Sequence, residues 1–553
     1  MDRPWLNSYP EGVSADIDVN KYSSVVEIFE KSVAEFSDNP SFSNFGKTLS
    51  YSEFAQATTS VAAYLQNTLG LKKGDRVAIM IPNLLQNPVS IFGVLRAGLT
   101  VVNTNPLYTA RELRHQLKDS RARAIIVIEN FASTVEEVVG DTDVEHIIVT
   151  KMGDMLDFPK SMLINLVVKY VKKMVPEFSL PNAVNFKTVL SEGSKFNLSS
   201  TSLNHDDIAF LQYTGGTTGV AKGAMLTHKN MVANMLQSAE WIKNDVVQGK
   251  EIVITALPLY HIFSLTANCL VFMEAGAKNI LITNPRDFEG FVKELSSIPF
   301  TAMTGVNTLF NALINTDGFN DIDFSNLKIT LGGGMSVQPA VAAQWKQITG
   351  CTLSEAFGLT ETSPAVCINP LNLKEYNGSI GLPIPSTYCK LINDEGNEVS
   401  NREPGELCIK GPQVMQGYWN LPEESANVFT ADGWLKTGDI AKIDDNGFFY
   451  IVDRIKDMIL VSGFNVYPNE IENVIVEHEG VLECGVIGVP DEKRGEAVKA
   501  FVVRKDDSLT EAELLSFCKE NLTGYKTPDK IVFIQELPKT NVGKVLRREL
   551  RSL

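Results

Sequence analysis

Residues 213–223 read YTGGTTGVAKG and follow the apolar run IAFLQ at 208–212. An apolar run that empties into such a stretch reads as a strand leaving its sheet as a loop. Gly215, Gly216 and Gly219 let backbone N–H groups turn inward, the geometry that cradles phosphate oxygens. Tyr213 opens the loop, Thr214, Thr217 and Thr218 add hydroxyl donors, and Lys222 adds a positive charge. The spacing is not that of GxxxxGK[ST], because Lys222 is followed by Gly223. A merely flexible loop does not need three threonines and a lysine among its glycines.

Outward from this loop, short β-rich runs alternate with amphipathic stretches. RVAIMIP (76–82), AIIVIE (124–129), EIVITALP (251–258) and NILITN (279–284) are separated by helical patterns such as 51–68 and 288–296. That alternation predicts α/β layers with mainly parallel strands. From about Gly378 short strands crowd together between Asn, Asp and Gly turns (CKLIND, GELCIKG, GFFYIVD), which predicts a β-rich subdomain. In the last hundred residues VLECGVIGV, AVKAFVVR and KIVFIQEL read as strands and EAELLSFCKENL as a helix, a small α+β unit. Its boundary falls near 450–460, and no linker composition marks it.

The chain of 553 residues is too long for one ordinary domain. With 44% hydrophobic and 21% charged residues it is globular, not disordered or coiled-coil. A net charge of −16 and the lack of a basic block argue against nucleic acid as a partner. The seven cysteines form no CxxC pair, which reads as reduced thiols in an intracellular protein. The N-terminus lacks a secretory pattern, and no apolar run reaches the ~18 residues of a membrane span. Residues 82–102 come nearest, broken by Gln86, Asn87 and Arg96. The expected location is cytoplasmic, with peripheral contact on the inner face of the membrane. The segment 161–175 (SMLINLVVKYVKKMV) sets Leu163, Leu166, Val167, Tyr170, Val171 and Met174 on one helical face and Asn165, Lys169, Lys172 and Lys173 on the other. Two readings stand for it: a surface helix packed on the core, or a basic amphipathic helix that meets a membrane.

Five further motifs follow in order: LPLYHIF (257–263), LGGGMSV (331–337), AFGLTET (356–362), GWLKTGDIA (433–441) with VDRIKDM (452–458), and PKTNVGKVLRREL (538–550).

Together with 213–223, these motifs resemble those of the adenylate-forming superfamily, which includes acyl-CoA synthetases, peptide-synthetase adenylation domains and firefly luciferase. The resemblance spans nearly the whole chain. It is greatest to bacterial long-chain fatty acyl-CoA ligases, through NVYPNEIE, LTGYK and the run 432–458. It implies a large N-terminal domain, 1–455, that binds ATP and fatty acid, and a small mobile C-terminal domain, 456–553. By resemblance the 213–223 loop holds the ATP phosphates, and Gly333 and Gly334 let backbone approach the adenine. Phe357, where the family often has tyrosine, stacks on that base. Thr360 bonds the α-phosphate, Glu361 and Thr217 hold Mg²⁺, and Asp439 with Arg454 binds the ribose. His261 stands near the substrate carboxylate, and Val306, with Leu265 and Leu309, lines the acyl tunnel. Lys544 serves adenylation, Lys456 is the hinge, and Gly463 lets the pantetheine arm of CoA pass.

The reaction implied is a two-step ligation: fatty acid and ATP give acyl-AMP and pyrophosphate, and the CoA thiol then displaces AMP. Two alternatives stay open. One is adenylation of a medium-chain or aryl acid onto CoA or a carrier thiol. The other is a non-catalytic fatty-acid binding or import protein. Chain-length preference and oligomeric state, a homodimer included, are not legible.

Overall fold

The computed structural model describes residues 3–214, 221–399, 403–462, 464–491, 493–505, 507–540 and 543–553. Two large sheets form the body. The first has seven strands in the order Val184–Asn185, His146–Thr150, Ala124–Ile128, Arg76–Met80, Thr100–Asn103, Ile208–Thr214, Lys222–Thr227, parallel except for its last pair. The second has nine, with a parallel centre running from Pro40–Asn44 through Lys278–Leu281, Ile252–Thr255, Ala302–Gly305 and Ile329–Gly332 to Leu353–Gly358. Strands such as Ala124–Ile128 and Thr100–Asn103 are buried at every position, as a parallel sheet covered on both faces requires.

The near-membrane run at 82–102 has a physical explanation. Ten of the eleven residues of the helix Gln86–Arg96 are buried, so it is mostly apolar on every side because it lies inside the protein. Asn83, just before it, ties the layers together. Its amide donates to the carbonyls of Thr255 and Leu257 at 2.9 Å each and its carbonyl accepts from Leu259 N–H. Such a fully satisfied buried amide fixes how the two sheets stack.

The crowded strands after 378 form a four-stranded antiparallel sheet, Tyr388–Ile392, Gly405–Lys410, Leu435–Ile443 and Phe449–Arg454. Beyond Arg454 a separate five-stranded sheet begins with Ile459–Val461. It includes Val481–Asp491, Gly495–Arg504 and Lys530–Phe533, packed on the helices Pro468–Ile475 and Glu511–Asn521. All seven cysteines are buried and unpaired.

The segment at 161–175 departs from the expectation of a core-packed helix. It is helical over Lys160–Leu166, continues as one wide turn over Val167–Val171 and stops there. Ser161 and Val168 face inward, whereas Leu163, Tyr170 and Val171 are 60%, 64% and 71% exposed, with Leu166 and Met174 exposed beside them. Asn165 faces in as well, because its side-chain oxygen accepts from Gly153 N–H at 2.7 Å. The apolar stripe therefore points away from the core. Among the described residues no helix is long and apolar enough to cross a membrane.

Candidate active site

A cavity of about 1200 Å³ opens at the carboxyl ends of the parallel strands, where α/β sheets place ligands. Thr214, His261, Val306, Gly333 and Phe357 all lie at or just past a strand end and line it. Tyr213, Lys222, Gly334, Thr360, Glu361, Arg454, Lys456 and Lys544 join them. Six expected residues, Gly215, Gly216, Thr217, Thr218, Gly219 and Gly463, lie outside the described residues.

Strand pairing builds the next feature. Asp439 and Arg454 are opposite partners on adjacent antiparallel strands, and the Arg454 Nε–Asp439 Oδ1 distance is 2.8 Å. The carboxylate is 2% exposed, and its Oδ2 has no hydrogen-bond partner. A buried, unpartnered carboxylate oxygen costs stability unless a ligand completes it. Burial pushes the Asp439 carboxyl up, while Arg454 and Lys544 pull it down.

Lys544 reaches the same cavity from the C-terminal tail. Thr308 Oγ1, on the helix Asn307–Ile314, donates to Gly543 O at 3.2 Å, and Lys544 N–H donates to Thr540 Oγ1 at 3.0 Å. Gly543 has φ +84°, and a Cβ there would stand 2.5 Å from Thr308 Oγ1, so only glycine permits this docking. Burial and then Arg454, with Asp439 opposing them, hold the Lys544 ammonium down to about 8. His261 is lowered to about 4, first by burial and then by Lys544, so it is neutral at pH 7. Its Nδ1 accepts from Phe263 N–H at 3.3 Å, which leaves Nε2 as the protonated nitrogen.

Several contacts were not legible in the sequence. Tyr418 Oη donates to Glu361 Oε1 at 2.7 Å from 57 residues away. Lys222 pairs with Glu424, 202 residues away, and sits 5.2 Å from the Tyr418 ring centroid. No local pattern announces partners so distant. Tyr213 donates its hydroxyl to Asp119 at 2.6 Å, so it offers the cavity its ring and backbone.

The residues expected along the acyl tunnel divide between cavity and core. Val306 lines the cavity, but Leu265 and Leu309 are core residues, Leu265 in the main core and Leu309 in that of the nine-stranded sheet. One face of the helix His228–Ile242, where Asn234, Ser238 and Ile242 recur every four residues, also lines the cavity. Opposite stand Ala267 and Val271 of the wide helical turn Leu265–Val271, a form frequent at functional sites.

Among the described residues no cluster of three His, Cys, Asp or Glu side chains can hold a metal alone. Glu361 is one of several carboxylates that line the cavity, and a single such hard ligand fits Mg²⁺ held together with substrate phosphates and water.

Residues 29–419 match the AMP-binding enzyme family, and residues 470–544 match the AMP-binding enzyme C-terminal domain. The chain is 56% identical over 552 residues to a long-chain-fatty-acid–CoA ligase of Escherichia coli O157:H7, covering 100% of this chain and 98% of that one. It is 40% identical to the long-chain-fatty-acid–CoA ligase of Bacillus subtilis, with 99% and 97% covered. A crystal structure of an anthranilate CoA ligase with anthranoyl-AMP superposes with a TM-score of 0.86 at 25% identity, over 97% of this chain and 98% of that one. With both of its matched regions in family order, and relatives of this similarity along its whole length, the chain belongs to the AMP-binding, adenylate-forming enzyme family.

Proposed function

We propose that this protein activates long-chain fatty acids: it condenses the acid with ATP to acyl-AMP and pyrophosphate, then passes the acyl group to CoA and releases AMP. The observation that carries the reading is that Lys544, neutral His261 and Arg454, the ion-pair partner of Asp439, line one cavity together with apolar residues such as Val271 and Phe272. Residues 1–455 act as the nucleotide- and acid-binding domain and 456–553 as the smaller domain that brings Lys544.

In the first step the ionised acid attacks the α-phosphorus, so no protein nucleophile is needed. The work is to hold two anions together and to neutralise the charge that builds up. His261 Nε2–H donates to one carboxylate oxygen and leaves the other to attack. Lys544 supplies positive charge between carboxylate and α-phosphate, and Thr360 donates to a phosphate oxygen. Asp439 accepts from the ribose hydroxyls through the oxygen that lacks a partner. Phe357 offers a ring face to the base. Glu361 and Thr217 would hold Mg²⁺, which when bound supplies charge neutralisation at the phosphate oxygens. Lys222 exchanges Glu424 for the phosphates. In the second step the thiol sulfur attacks the acyl carbon, the acyl–phosphate bond breaks and AMP leaves with the electron pair. Rotation at Lys456 withdraws Lys544 beforehand, and Gly463 lies on the route of the pantetheine arm.

The exposed stripe at 158–174 gives the reading a second part. Phe158, Leu163, Tyr170 and Val171 are exposed together with Lys169, Lys172 and Lys173 on a chain of net charge −16. Apolar side chains flanked by lysines suit the headgroup region of an anionic bilayer, where the lipid substrate partitions.

Product analysis by mass spectrometry tests the proposal, with purified protein, ATP, Mg²⁺ and fatty acids of graded length, with and without CoA. Acyl-AMP without CoA and acyl-CoA plus AMP with it are expected. Adenylation of aryl acids alone would overturn the substrate class, and untouched ATP would overturn the enzyme.

A further inference from the structure

Glu355 is a buried carboxyl that the mechanism above does not use. It is 5% exposed and lies on the strand Leu353–Gly358, two residues before Phe357. In the parallel ladder it is the partner of Gly332, the last strand residue before the turn that carries Gly333 and Gly334. Val337 is the other foot of that turn. Tyr376, from the loop after 368, reaches both: its Oη is 2.7 Å from Val337 O and 2.6 Å from Glu355 Oε2.

Counting protons decides what this arrangement is. The Tyr376 hydroxyl has one hydrogen, and Val337 O is an acceptor only. If Glu355 were ionised, two acceptors would compete for that hydrogen and one buried contact would be left unmade, which is costly. If Glu355 carries a proton, it donates to Tyr376 Oη, and Tyr376 donates to Val337 O. Both contacts are then satisfied. We propose that Glu355 is a positioning residue: as a neutral acid it forms, with Tyr376 and the Val337 carbonyl, a clamp that pins the far foot of the 333–336 turn to the Phe357 strand, and the clamp opens when its proton is lost. The near foot is already held by the Gly332–Glu355 ladder, so the clamp fixes the distance between the glycine turn and Phe357. The inference rests on the reading of those two segments as nucleotide contacts.

Burial holds the carboxyl up to about 8, against the Tyr376 hydroxyl and the Val337 N–H, which favour the ionised form. Tyr376 is the titratable side chain acting on it among the described residues. The neutral acid is therefore the main form at pH 7, and the clamp is lost as the pH rises through about 8.

Glu355→Gln keeps the shape and the donor at every pH. The measurement is kcat/KM for ATP in acyl-AMP formation, wild type over Glu355→Gln, from about pH 6.5 to about pH 9.5. The ratio cancels the titration of Lys544, which both proteins keep. It is expected to fall about five- to tenfold across that range, as one buried hydrogen-bonded contact is lost in the wild type alone. Tyr376→Phe removes the clamp at all pH values and is expected to raise the ATP KM by a similar factor without pH dependence. Infrared difference spectra, wild type minus Glu355→Gln, are expected to show a protonated-carboxyl band at pH 7 that disappears in alkali. A ratio flat with pH, or no protonated-carboxyl band at pH 7, overturns the clamp. Should neither protein form acyl-AMP, the ligase reading fails, and the infrared band still decides the protonation.

Discussion

Lys544 and Asp439 carry the sharpest consequences at the scale of single residues. Lys544→Ala removes a charge preorganised beside neutral His261 and is expected to slow acyl-AMP formation by ~10²–10³. Thioester formation from supplied acyl-AMP should be spared, because the lysine has withdrawn by then; pyrophosphate release and CoA consumption, measured separately, check the split. The pH dependence has a definite sign. Burial depresses the ammonium to about 8, so its charge is present below that pH and lost as the pH rises through it. The kcat/KM of the first half-reaction should therefore decline on the alkaline side near pH 8 in the free enzyme. Asp439→Asn keeps the shape but puts a donor or a neutral acceptor where ribose hydroxyls need an anion, and it breaks the 2.8 Å pair with Arg454. The loss of a charge-assisted bond predicts an ATP KM raised by about ten- to a hundredfold, with less effect on kcat. Such residues are legible because each sits in a compact motif whose chemistry is local. Glu424, Tyr418 and Glu355 are not, because their meaning comes from partners that only the folded chain brings near.

Helices and strands are legible where their pattern is strong, and an apolar stripe with two uses leaves two readings open. The runs at 76–82, 124–129, 251–258 and 279–284 fold as Arg76–Met80, Ala124–Ile128, Ile252–Thr255 and Lys278–Leu281. Leu265 and Leu309 show the ambiguity, since an apolar side chain suits a lipid tail and a core equally, and both lie in core clusters. Asn234, Ser238 and Ile242 give the cavity one helix face, a groove ~12 Å long. Ser238→Trp should block that groove about midway. Long acids are expected to lose activity by an order of magnitude or more, through overpacking of the tail, while short acids keep it; a chain-length series of kcat/KM checks this. The segment Lys160–Val171 makes a different prediction. Tyr170 and Val171 contribute little to the core at their exposure, so Tyr170→Glu with Val171→Glu should leave the melting temperature within about a degree or two. The same pair should abolish flotation with anionic liposomes. Flotation that survives the double substitution would place lipid contact elsewhere.

Across the whole molecule, the question is whether catalysis needs the small domain to move. The structure catches it docked: Thr308 holds Gly543, and the Asn311 side chain donates to Leu482 O at 3.3 Å across the two domains. This places Lys544 in the cavity, the arrangement suited to adenylation and unsuited to thiol entry from that side. Lys456 lies within the turn closed by Asp457 N–H to Arg454 O at 3.0 Å. It is the third residue of that turn, where proline forces the preceding residue out of its turn conformation, so a proline at 456 tests the hinge only at some cost to docking. A reversible lock is cleaner. The native cysteines are all buried, so new thiols from Asn311→Cys and Leu482→Cys can be joined selectively by a short, reducible cross-linker. The locked protein is expected to form acyl-AMP and pyrophosphate once per molecule and to make no acyl-CoA. Reduction should restore turnover to the level of the unlinked double variant, with the acyl-AMP that accumulated under the lock chased into acyl-CoA. Undiminished thioester formation by the fully cross-linked protein would mean that CoA reaches the adenylate with Lys544 still in place, and the rotation at Lys456 would then have no part in the cycle.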